Sequence, residues 1–419
     1  MTAQARAFAA GTAFGALLAA SIAGVAQMTS GGAERAAAER AAASGQPLVE
    51  LRKFGEAIGA IRKNYAAEVD DRVLVDGCIA GMLRRLDPQS AYLDAGDFRE
   101  LMTGGQRGGL GVELTTFGER IRVIAPLEGT PAERAGVSAG DYIVKVNDTE
   151  TTGLAVADVV KLLVGPPGSP VTLTLARAGG AEPITLTLTR EVIKVQEVKS
   201  KLAAPGVGFV RISQFRETTP DAFARTLGAL RGENGAPLKG LVLDLRGNPG
   251  GLLQSAIAVA AAFLDQDRVV LSMKGRNADS NRQFTANPRD YETGAAARGT
   301  RVPLPEDTRT LPLVVLVDRA SAAGSEIVAG SLQDYRRATI VGEKTFGRGS
   351  IQTIMPMGDN TALKLTTAYW YTPNGRAIHA QGIAPDVALD AASARPEAAL
   401  NYGNPTDPGL RRALEILQR

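Results

Sequence analysis

Residues 241–245 read Leu-Val-Leu-Asp-Leu, with apolar side chains on both faces of any strand they form. A strand with one wet face alternates apolar and polar residues. One that does not alternate must be covered on both sides, as in a parallel sheet flanked by helices. Arg-Gly-Asn-Pro-Gly-Gly follows at 246–251, a sharp turn, and an Ala-rich helical stretch is expected from Gly251 to Leu264. A second apolar run, Leu313–Val317, leads through Ala-Ser-Ala-Ala-Gly-Ser-Glu-Ile at 320–327 into a helical pattern at Val328–Asp334. Two such strand–turn–helix units require an α/β domain. Strands at Gly208–Ser213 and Val269–Met273 and a helix at Asp221–Arg231 complete it, with mixed strand directions expected.

The flanking segments have other periods. Leu48, Leu51, Phe54, Ile58 and Ile61, then Leu74, Ile79, Met82 and Leu86, recur at helical spacing. They predict a helical segment over 48–102, broken at Asp87-Pro88. Short β-type runs at Val112–Leu114, Ile121–Ile124, Tyr142–Val146, Val171–Ala176 and Ile184–Thr189 surround a helical run at Val156–Leu163. They predict a compact β-rich module over 103–191. An α/β core over 192–390 follows, with a loop excursion at Pro288–Thr308. The tail over 391–419 is expected to end in a short helix near 409–418. The fold class is thus α+β or mixed α/β, in several domains.

Composition removes several function classes. The 419 residues carry 47 Lys and Arg against 44 Asp and Glu, a net charge of +3, which is no footprint for nucleic acid. Cys78 and His379 are the single cysteine and histidine, so neither a disulfide framework nor a His/Cys zinc site is expected. A Ser-His-Asp triad would have to use His379, in the Gly-rich stretch Gly-Arg-Ala-Ile-His-Ala-Gln-Gly, and is not expected. No cofactor is implied. Arg6 precedes an uncharged Ala-rich run from Ala7 to about Gly32, with Gly24-Val25-Ala26 as a small-residue cleavage site. Residues 1–32 read as a secretory signal or an uncleaved anchor, and 33–47 as a linker. The periplasm or an extracellular face is the expected location.

Three stretches carry chemistry. Gly109-Leu110-Gly111-Val112 stands at the mouth of the β module, where glycines before a strand can turn successive N–H groups toward a carboxylate. On its own, an ordinary β-turn explains it better. The turn after Leu245 places Gly250 and Gly251 at a helix start, where free amides can stabilise an oxyanion. The third is the 320–327 turn itself, with Ser321 and Ser325 on either side of Ala323, and its sequel Glu343-Lys344-Thr345-Phe346-Gly347-Arg348-Gly349-Ser350-Ile351-Gln352.

Further ordered matches join these: Leu86-Asp87-Pro88-Gln89-Ser90-Ala91-Tyr92-Leu93, Pro131-Ala132-Glu133-Arg134-Ala135-Gly136-Val137 with Gly140-Asp141-Tyr142-Ile143, and Gly382-Ile383-Ala384-Pro385-Asp386. Together they resemble the carboxyl-terminal processing peptidases, or tail-specific proteases, over nearly all of 48–387. The β module resembles a circularly permuted PDZ domain. The resemblance implies binding of protein or peptide C-terminal tails, a possible adaptor partner, and a serine endopeptidase site with a Ser/Lys dyad. In that family the elbow reads S-A-S-A-S-E-I and its middle serine is the nucleophile. That position here is Ala323. The family lysine, in F-G-K-G, corresponds to Arg348. Gln352 matches the glutamine that orients the lysine, and Asp334 the aspartate of Q-D. The resemblance thus implies a frame kept around two replaced reactive groups, and a tail-binding pseudoprotease as the alternative function. Ser325 is the alternative nucleophile, although two positions along a helix it should face away from the oxyanion loop. Leu163-Val164-Gly165 departs from the family's L-R-G corner, which puts coupling between module and site in question.

Overall fold

The computed structural model describes residues 47–103, 108–177, 182–193, 196–292, 304–389 and 403–418. The leader, most of the linker, part of the 288–308 excursion and the start of the tail lie outside the described residues. The chain divides into two units. The smaller holds α1 (Pro47–Asn64), α2 (Asp71–Arg84), most of β1 (Ala91–Leu93) and α3 (Ala95–Thr103). The helical segment expected over 48–102, broken at Asp87-Pro88, consists of three helices and a short strand. Asp70 stops the first run and caps α2, accepting from the Arg72 amide at 2.8 Å. Three residues are too short for a strand period to register. Leu51, Phe54, Ile61, Val73 and Met82 stay exposed. Among the described residues no helix is long and apolar enough to cross a membrane.

In the larger unit, β2 (Val112–Phe117), β3 (Arg120–Pro126), β4 (Tyr142–Val146), β5 (Thr149–Glu150), β6 (Pro170–Ala176) and β7 (Ile184–Thr189) form an antiparallel sheet. Its order is β2-β3-β4-β6-β7, with β5 on β4, so β2 is an edge. Helices α4 (Pro131–Arg134) and α5 (Val156–Leu163) close its core around Leu110, Ile121, Ile143, Val159, Leu163 and Leu173.

The second sheet runs β8 (Val198–Ala204), β9 (Val207–Ile212), β10 (Gly240–Asp244), β13 (Leu313–Val317), β14 (Thr339–Gly342) and β17 (Val387–Ala388) in the spatial order β17-β14-β13-β10-β9-β8. All its pairings are parallel except β8–β9, so the sheet is mixed as expected. Leu241 and Leu243 enter the core under α6 (Thr219–Asn234) and α7 (Leu253–Ala261), while Val242 enters the core on the opposite face. That two-sided burial is why the run could not alternate. A separate sheet pairs β11 (Val269–Gly275) with β12 (Arg282–Thr285) and with β16 (Ala362–Tyr371), which also pairs β15 (Ser350–Pro356). A short helix, α8 (Pro288–Tyr291), precedes the undescribed part of the excursion, and α9 (Gly324–Asp334) follows β13.

The tail helix is α10 (Pro408–Leu417), and it packs on the second sheet through Leu410 and Ala413. Its N-cap Asp407 accepts from the Gly409 and Leu410 amides and binds the Arg246 guanidinium through both oxygens at 2.6 and 3.0 Å. Arg246 also holds Asp244, and all three side chains are buried. The turn after β10 is thus fixed from behind by the last helix.

Candidate functional site

The turns after β10 and β13 meet at one place. Ser321 donates its hydroxyl to the Leu245 carbonyl at 2.8 Å and accepts from the Asp318 amide, which makes it a turn residue. The Ala322 amide donates to the Asn248 carbonyl at 3.0 Å. Ala323, the N-cap of α9, has φ 47 and ψ −105. A residue with a Cβ holds that conformation at a cost of roughly 1–3 kcal/mol, and only where its surroundings enforce it. A strained residue on a sharp turn from strand to helix is the geometry that lifts a nucleophile clear of its neighbours. Here it carries a methyl group.

The enforcer is Glu326, one turn along α9. Its carboxylate accepts from the Ala323 amide at 2.9 Å and the Arg348 amide at 2.8 Å on one oxygen. The other oxygen accepts from the Thr345 hydroxyl at 2.6 Å and the Gly347 amide at 2.7 Å. One buried side chain therefore positions both the elbow and the loop that presents Arg348. Burial pushes its carboxyl up to about 7, outweighing the four donated hydrogen bonds. Between the ordinary carboxylate range and pH 7 the folded chain keeps a proton that the unfolded chain has lost. This contribution to stability is complete below the unfolded value and is lost as pH rises through about 7. We expect stability to fall from pH 5 to 7.5 with a slope of at most about 1.4 kcal/mol per pH unit. Glu326→Gln should start lower and show a flatter profile. Parallel profiles in denaturant titrations would contradict this.

The oxyanion expectation needs correcting at Gly250. Its amide is engaged, donating to Asn248 Oδ1 at 2.8 Å. The Gly251 amide donates to no described residue. Gly251 has φ 142, and a Cβ there would lie 2.0 Å from the Phe215 carbonyl oxygen, so only glycine allows this approach. Ser325 also differs from expectation. It faces the turn after β10, donating its hydroxyl to the Asn248 carbonyl at 2.9 Å, and it is fully buried. Its proton is committed to holding the loop.

Arg348, Gln352, Gly250, Gly251 and Ala323 line one cleft of about 270 Å³, together with Glu113, Leu253, Ile327 and Ile351. Asp334 is elsewhere: it pairs with Arg376 and caps the Asn374 amide at 2.8 Å. Gln352 donates to the Ser350 and Thr366 hydroxyls at 3.0 and 3.1 Å. Arg348 pairs with Glu113 of β2 at 2.7 Å, and the Trp370 indole N–H donates to its carbonyl. Lys364 on β16 is half-buried. Burial, then repulsion from Arg348, hold its ammonium below the usual lysine range, while Glu113 and Asp87 act the other way. Among the described residues no three His, Cys, Asp or Glu side chains group to hold a metal ion.

At the β module, the Gly109 amide is engaged, donating to the Glu191 carbonyl at 2.8 Å. The Leu110 and Gly111 amides remain without a described acceptor, next to the edge strand β2. Gly111 has φ 70, and a Cβ there would lie 2.4 Å from the Thr130 side chain, so this loop also requires glycine.

Residues 206–389 match peptidase family S41, residues 122–177 the PDZ domain, and residues 8–96 the N-terminal domain of the activating protease CtpB. The carboxy-terminal-processing protease of Bartonella bacilliformis is 40% identical over 344 residues, spanning 81% of this chain and 75% of that protein. This chain belongs to the carboxy-terminal processing proteases of family S41. The family relative CtpA of Bacillus subtilis is 35% identical over 339 residues, spanning 80% and 68% of the two chains. A solved member, a photosystem II D1 C-terminal processing protease, superposes with a TM-score of 0.68 at 31% identity, covering 83% of this chain and 88% of that one. Within the S41 frame, Glu326 and Glu113 escaped the reading of the sequence. The first stands in the elbow stretch with no role assigned to it, and the second meets Arg348 from 235 positions away.

Proposed function

We propose that this chain binds C-terminal tails of exported proteins and does not hydrolyse them by the Ser/Lys route. One observation carries this reading: the strained elbow presents Ala323, a residue with no nucleophilic atom. Arg348, at the position of the base, carries a guanidinium, a group that offers donors only and no acceptor for a serine proton. Ser325 is no substitute, because its hydroxyl is buried and bonded to a carbonyl. The Ala-rich leader supports export, with tail binding at the periplasmic or extracellular face, as an adaptor or as a competitor of active relatives.

Capture is assigned to the Gly109–Val112 loop and the edge of β2. The Leu110 and Gly111 amides receive the carboxylate while the peptide backbone adds to the strand. Titration of a labelled tail peptide against its C-amidated twin tests this. The free acid should bind about tenfold tighter or better, as for the loss of a charge-assisted hydrogen bond. Equal affinities would refute it. The competing reading, an active endopeptidase, draws on the unengaged Gly251 amide and on Gln352 in the cleft.

A further inference from the structure

One nitrogen of Arg348 binds Glu113, and no other acceptor for the guanidinium occurs among the described hydrogen bonds. A guanidinium offers five donors in a planar fork that fits a carboxylate with two parallel bonds. The contact with Glu113 leaves most of that capacity unused. The two partners are unequally placed: the Glu113 side chain is 35% exposed and that of Arg348 is 19% exposed. Glu113 can therefore return to water more cheaply than Arg348 can. Lys364, half-buried on β16, adds a second cation whose charge opposes that of Arg348.

Around the guanidinium the cleft offers an apolar wall of Leu253, Ile327 and Ile351, and the Gly251 amide. Ala323 fills less of it than any residue with a longer side chain would. A volume of about 270 Å³ lies just under the ~300–1,000 Å³ typical of drug-sized ligands, which suits the end of a peptide.

We propose that this cleft is a second carboxylate receptor. The α-carboxylate of a peptide with an apolar last residue displaces Glu113 from Arg348, and the last side chain enters between Leu253, Ile327 and Ile351. The inference rests on the reading that the cleft is not hydrolytic, and it is independent of capture at β2. Such a peptide end is what a peptidase cutting after an apolar residue releases, so the ligand class includes the products of other proteases.

Calorimetric titration of the full chain with an acetylated peptide ending in Leu-Ala, and with its C-amide, tests the proposal. Two carboxylate-dependent sites per chain are expected. Arg348→Met should leave one, and Gly111→Ala, which distorts the β2 loop, should remove the other. Glu113→Gln should tighten the cleft site several-fold, because the internal competitor is gone. If Arg348→Met changes neither the number of sites nor their affinity, the inference falls while tail capture at β2 stands. If a single site is found and only Arg348→Met abolishes it, the inference stands and capture at β2 falls. Should Arg348→Met not fold, Glu113→Gln decides, and unchanged affinity overturns the proposal. Full competition by inorganic phosphate at equal concentration would also overturn it, since the site would then be a general anion site.

Discussion

Converting Ala323 to Ser together with Arg348 to Lys is expected to raise cleavage of an unfolded reporter with an apolar C-terminal tail by a factor on the order of 10⁴ or more. That is the scale set by removing single members of serine-protease machinery. The frame for the gain is present: an elbow at φ 47, an unengaged Gly251 amide, and Gln352 in the same cleft. Neither single change should suffice, because a serine without a base and a lysine without a nucleophile each stay near background. Glu113 would oppose the restored lysine, since a carboxylate beside an ammonium favours its charged form and weakens it as a base. Adding Glu113→Gln should therefore increase turnover further. The decisive measurement is the rate with the unmodified chain. Robust cleavage by it, abolished in Ser325→Ala, would make Ser325 the nucleophile and end the pseudoprotease reading.

The second large effect is on stability. Asp407→Ala should cost about 3–5 kcal/mol, the range for breaking a buried ion pair and leaving one charge uncompensated. Arg246 would keep Asp244 but lose its other carboxylate, and α10 would lose its cap. Burial works to raise the Asp407 carboxyl, but the hydrogen bonds and charge of Arg246, with the Gly403 and Leu410 amides, hold it below the usual range. The stabilisation is accordingly present above the unfolded carboxylate value and lost as pH falls through the depressed one. Urea melts at neutral pH and in acid should show the variant's deficit shrinking in acid. A deficit under 1 kcal/mol at pH 7 would mean that the last helix contributes little to the turn after β10.

Where local signals were strong the sequence was sufficient. Tyr142–Val146, Ile184–Thr189, Leu313–Val317 and the helix Val156–Leu163 occupy the residues their periods indicate. The strands that escaped have mixed surroundings. Lys199 and Ser200 are exposed on the edge strand β8, and β16 is Thr-rich and only half-buried over Leu363–Thr367. The site was legible as a set of motifs but not as a set of bonds. Nothing in the elbow sequence says that Gly250 would give its amide to Asn248, or that Ser325 would turn toward the loop. Both follow from how two distant turns interlock, and the spacing of residues along one turn does not encode that. Arg348 joined the cleft as the motif implied, whereas Asp334, from the same set, serves a loop with Arg376.

The Arg246–Asp407 pair spans 161 positions of the chain, so its consequence is also one of time. During synthesis at ~5–20 residues per second, residues 241–251 leave the ribosome many seconds before Asp407 does. Through that interval the guanidinium of Arg246 has Asp244 but not its second carboxylate. Contacts of such long sequence separation form slowly, because the intervening chain must be ordered first. The turn after β10 is thereby fastened only once residue 407 is in place, and fragments ending before it should keep the β module while that turn loses its hold on the last helix.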